Sequence, residues 1–158
     1  MKKILVILNL IILMLIFGYM VIKEEQNLKK TTYYIKTRPV DPRSLMQGDY
    51  MILNYEILEE ARRKKTDLKT GYIRVKINES NIAEFIRIDE KYLEPSENKH
   101  SIKFYKNGRN IDIGVNSYLF QEGTGRRFQR AVYSEVIELK NGNIRLKFLL
   151  DSNFKRIK

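Results

Sequence analysis

Chemistry at neutral pH needs a placed acid, base, nucleophile or metal ligand, and this chain has few of them. Its one histidine, His100, stands beside Lys99 at the start of a strand-like run and reads as a surface residue. A histidine-based metal site would need companions the sequence lacks, and no acidic cluster has calcium-loop spacing. Cysteine is absent, which excludes disulfides, zinc thiolates and thiol catalysis. Gly123 and Gly125 precede a strand rather than opening a helix, so no phosphate loop is expected. The acids Asp49, Glu56, Asp112 and Glu122 are scattered along the chain. The expectation is no catalytic residue, no metal and no cofactor: a protein that is not an enzyme. The competing expectation is a hydrolase-like carboxylate site. It would use Asp49 and Glu122, helped by Arg43 or Arg126, in a cleft between the turn at Gly48 and the loop around Gly123.

Charge bounds the partners. Thirty Lys and Arg against nineteen Asp and Glu give +11 over 158 residues, spread along the chain. No basic block interleaves with aromatics, so nucleic acid is not expected, and a lysine-rich solvated surface is the simplest reading. A further expectation is contact of that surface with anionic lipid or a cell-wall polymer.

These residues must be held by something, and the first element is plain. Residues 4–22, ILVILNLIILMLIFGYMVI, are apolar except for Asn9, Gly18 and Tyr19. As a helix they extend roughly 28 Å, close to the ~30 Å hydrocarbon core of a bilayer. The run outlasts the apolar core of a signal peptide, and its exit, Tyr19 to Glu25, offers no small-residue cleavage site. An uncleaved anchor is therefore expected over residues 1–22, with a charged spacer over 23–30 and a β-rich domain over 31–158. Flanking charges are nearly balanced. The basic lead of Lys2 and Lys3 resembles an export signal and predicts an extracytoplasmic domain on the cytoplasmic (inner) membrane.

The remainder reads as strands and turns. Residues 31–37 form a first strand, ended by Pro39 and Pro42. A second strand, 50–58, carries Met51, Leu53, Tyr55 and Ile57 on one face. Residues 59–69 are a loop or a short exposed helix. Ile73, Val75 and Ile77 alternate with Arg74 and Lys76, and 82–88 returns as a hairpin partner. Hairpin turns are expected at Asn107-Gly108 and Asn141-Gly142. With no long amphipathic helix, the pattern predicts an all-β barrel or sandwich of antiparallel hairpins, preceded by one transmembrane helix.

Two resemblances follow. Leu45 to Met51 after an N-terminal anchor is similar to the segment following the nucleophile in type I signal peptidases. The position of that family's serine is held here by Val40, and Ser44 sits at another offset, so no nucleophile is carried over. Gly48-Asp49-Tyr50-Met51-Ile52-Leu53-Asn54-Tyr55 matches every fixed position of the signature of the GDYxxLxY family of bacterial proteins. The lead-in Val40 to Leu45 and the later block Phe120-Gln121-Glu122-Gly123 with Ala131 and Tyr133 resemble it too. That resemblance implies a small, singly anchored extracytoplasmic protein and brings no substrate or catalytic residue. Physically, Gly48 suits a positive φ, Asp49 can accept the turn's amides, and Leu53 and Tyr55 share a core face. Tyr50 lies on the opposite face, the better placed ring for a partner. The expected partner is a membrane or envelope protein, served by an anchored accessory module.

Overall fold

The computed structural model describes residues 2–28, 31–45, 48–121 and 123–158, with side chains placed for 4, 6–23, 31–38, 50–121 and 123–158. The chain divides into two compact units, Met1–Thr31 and Thr32–Lys158. The first is the helix α1 (Lys2–Leu28). Its stretch Val6–Lys23 is long and apolar enough to cross a membrane, and none of it is buried.

Among the described residues the second unit holds nine strands. They are β1 (Thr32–Leu45), β2 (Gly48–Tyr55), β3 (Thr70–Ile77), β4 (Ala83–Asp89), β5 (Lys99–Asn107), β6 (Asn110–Asp112), β7 (Ser117–Phe120), β8 (Tyr133–Glu138) and β9 (Ile144–Leu150). Two short helices, α2 (Glu56–Arg63) and α3 (Gly125–Phe128), interrupt them. The strands form two sheets, ordered β7-β2-β1-β8-β9 and β4-β3-β5-β6, with antiparallel neighbours throughout. The all-β expectation of antiparallel hairpins, preceded by an apolar helix, holds. One core joins the sheets, with Tyr33, Ile35, Met51, Leu53 and Tyr55 from the first and Ile73, Val75, Ile102 and Phe104 from the second. The β3–β4 turn also reaches across: Tyr34 N–H donates to Asn81 O at 2.8 Å, and Asn81 Nδ2 donates to Thr32 O at 3.0 Å.

Three local expectations are corrected. Pro39 does not end β1, which runs on to Leu45 paired with β2. Thr37 N–H points at Val132 O, so two residues later the proline nitrogen faces the same side, beyond the last β8 partner, where no donor is needed. The second strand stops at Tyr55, and residues 56–58 begin α2 instead. Ile57, Leu58 and Ala61 are buried at helical spacing, with Glu56 and Glu59 in the first turn and Arg62 and Arg63 in the last, matching the helix dipole. Gly125 opens the short α3 rather than preceding a strand directly. Arg74, which alternates with Ile73 and Val75, is buried as well. The segment after β4 covers it, and its guanidinium donates to Leu93 O at 2.9 Å and Ser101 Oγ at 2.7 Å.

The Asn141-Gly142 turn takes positive φ at both residues, 63° and 75°. It is pressed onto β5: a Cβ on Gly142 would lie 2.7 Å from Ser101 O and 3.2 Å from Lys103 N. Gly142→Ala is expected to lower stability by more than the ~1–2 kcal/mol of left-handed strain alone. Gly108→Ala, with φ +59° but nothing within 4 Å, should show the strain without the clash. Thermal melts of the two variants check the difference.

Candidate functional site

The signature strand β2 has different surroundings at its two ends. At its first end the register aligns Arg43, Tyr50 and Leu119 across β1, β2 and β7, and sets Asp49 opposite Phe120. After β7, Gly123 has φ +80° and Thr124 Oγ1 donates to Gln121 O at 2.6 Å. Backbone pairing thus brings Arg43, Gly48 and Asp49 to one end of the first sheet, while Gly123 follows β7 and Arg126, which is exposed, lies on α3. Glu122, the Asp49 and Arg43 side chains and residues 46–47 lie outside the described residues. Tyr50 is half-buried and Leu119 is 74% exposed. Beneath them, Phe128 of α3 stacks on Phe120 at 5.1 Å and meets Tyr118 at 5.2 Å. The remaining acids do not join this end. Glu56 pairs with Lys36 at 3.4 Å, and Asp112 Oδ1 accepts Gly114 N–H at 2.5 Å.

The core face of the signature is structural. Leu53 is 2% exposed and Tyr55 1%. The Tyr55 hydroxyl donates to Val115 O at 2.7 Å, and Leu53 N–H to Asn116 O at 2.8 Å. Residues 113–116 carry the chain from the second sheet to the first, so these two bonds fasten that crossover to β2.

Two adjoining cavities of about 400 and 480 Å³ share Arg62, Lys106 and Ile111, and Ile52, Leu53 and Asn54 of β2 line the second. The first lies between the end of α2, the following loop and the β5–β6 hairpin, with Ala61 and Ile111 as an apolar floor. Its walls hold Arg62, Lys65, Lys106 and Arg109 against one acid, Asp67. Lys106 Nζ donates to Thr66 O, and no described carboxylate pairs with any of the four cations. Lys65 follows the helix C-cap with φ +43°, a left-handed position where glycine is the usual occupant. The second cavity is amide-rich, lined by Asn54, Asn107, Asn110 and Asn116. Asn116 Oδ1 is shut from solvent and has no donor.

Sequence reasoning missed a buried polar cluster. His100 is 5% exposed, not a surface residue, and its Nδ1 bonds Glu138 Oε2 across the interface between the sheets. The Tyr33 ring lies 5.4 Å from the imidazole, tilted 42°. Burial, then the Glu138 charge, pushes the Tyr33 hydroxyl well above its usual range; burial also raises Tyr55. The apolar pattern around Tyr33 and the alternation within His100-Ser101-Ile102 were the available signals for burial. Both tyrosines are neutral in the fold and ionise more readily once unfolded. Their contribution is complete below about pH 10 and is lost as pH rises toward the folded values. Alkaline titration followed by circular dichroism should show unfolding that sets in above about pH 10, and Tyr33→Phe should weaken that dependence. At pH 7 the Tyr33 hydroxyl has no partner, so Tyr33→Phe costs little. Tyr55→Phe should cost about 1–2 kcal/mol through the lost bond to Val115.

No curated protein and no solved structure matches the chain. The model of the GDYXXLXY protein family matches residues 12–149, from within α1 to the end of β9. With the fixed residues of the signature lying on one strand that spans the core and both candidate surfaces, this chain belongs to the GDYXXLXY family.

Proposed function

We propose that the protein is a single-pass accessory module of the cytoplasmic membrane, its β unit extracytoplasmic and docked to another membrane or envelope protein. The observation that carries this reading is α1, whose apolar stretch is exposed along its whole length. A signal sequence meets the same length and composition, so the deciding experiment is on the mature chain. Alkaline extraction should leave full-length protein in the membrane pellet, and a C-terminal reporter should be active only outside the cytosol. Recovery of a shortened soluble form overturns the anchor.

The docking edge in this reading is the row Tyr50–Leu119, because a large apolar side chain left exposed beside a half-buried ring favours a partner. A photo-crosslinker at Leu119 should capture one membrane protein, whereas one at Lys147 on β9 should not. Equal labelling at both positions, or none, removes that surface from the proposal.

A further inference from the structure

We infer that the two cavities beside α2 form one binding site for a phosphorylated polyol, with the anionic group at the cationic end and hydroxyls at the amide end. Three independent features point there. Four cations share one concavity without a described carboxylate partner, an arrangement that leaves their charge available to an oxyanion. Lys65 keeps a lysine in a left-handed conformation that glycine would occupy without strain, and it lines the cavity. In the adjoining cavity Asn54, Asn107, Asn110 and Asn116 line the wall, and such amides offer donors and acceptors to ligand hydroxyls. The shared wall of Arg62, Lys106 and Ile111 makes the two ends continuous, and each volume lies within the range of small-molecule sites.

A lone phosphate would leave the amide end empty, and a neutral sugar would leave the cations unmet. A hexose phosphate has both halves, and a glycerol-phosphate lipid headgroup offers the same chemistry from a bilayer. The inference is independent of how α1 is anchored.

The test is calorimetric titration of the full chain in non-ionic detergent micelles with glucose 1-phosphate, inorganic phosphate and glucose. Glucose 1-phosphate should bind at least about tenfold more tightly than either fragment. Lys65→Gly should raise the melting temperature, by relieving the backbone, and weaken glucose 1-phosphate about tenfold. Asn116→Ala should weaken glucose 1-phosphate while leaving inorganic phosphate unchanged, and Lys147→Gln should change neither. Doping the micelles with phosphatidylglycerol separates the sources. Competition with glucose 1-phosphate identifies a lipid headgroup, and its absence identifies a soluble ligand. The inference is overturned if no saturable binding occurs, if phosphate binds as tightly as its sugar ester, or if Lys65→Gly stabilises the fold and leaves affinity intact.

Discussion

Leu53→Ala is expected to lower unfolding free energy by about 2–5 kcal/mol, among the largest losses available to a single change in this domain. Leu53 is 2% exposed and sits on β2 between Met51 and Tyr55, both buried in the core that joins the sheets. Truncation removes apolar contact and leaves a cavity. Neighbours have little freedom to fill it, because Leu53 N–H and the Tyr55 hydroxyl both fasten the 113–116 crossover at the same place. Denaturant unfolding should show a lower midpoint with an unchanged slope. Tyr50→Ala, on the opposite face, should lose far less stability. Equal losses at the two positions would contradict the division of the signature into a core face and an exposed face.

The second large effect belongs to His100 and Glu138. Removing either partner by alanine substitution should cost about 3–5 kcal/mol, because the other is left buried and unpaired. Glu138 Oε1 already lacks a partner, so loss of the imidazole leaves the whole carboxyl group without one. Replacing both together, His100→Phe with Glu138→Leu, should recover most of the loss, since apolar groups of similar size need no hydrogen bonds there. A double-mutant cycle by urea unfolding checks this, and additive losses would show that the two residues act separately. The pair links β5 of one sheet to β8 of the other, so its loss should also loosen the packing of Tyr33 between them.

Much of the β unit was legible residue by residue. Alternation of Ile73, Val75 and Ile77 marked a strand face, and Asn141-Gly142 marked a hairpin, because both depend on neighbours a few residues apart. The start of α2 was missed for a related reason. Met51, Leu53, Tyr55 and Ile57 continue a two-residue alternation, while Ile57, Leu58 and Ala61 equally suit a helix, and only packing chose the boundary. Pro39 misled because a proline breaks a strand only where its missing donor had a partner, and the end of β8 determines that.

The candidate surfaces were less legible. Arg43, Gly48 and Asp49 come to one end of the first sheet through the β1–β2 pairing, with Phe120 of β7 opposite Asp49, and only that pairing of distant strands brings them there. The groove of Arg62, Lys65, Lys106, Arg109 and Asn116 had no sequence signal, since its residues come from α2, the loop after it, the β5–β6 hairpin and the crossover.

By itself the sequence determined an apolar helix at the N-terminus, an antiparallel β unit after it, and the family signature, all properties of local composition and periodicity. The tertiary structure alone decided that His100 and Arg74 are buried, that β1 pairs with β8, and that four cations share one cavity. Burial and charge proximity are set by segments distant in the chain, and the pairing that joins those segments is fixed only when both sheets close on a common core.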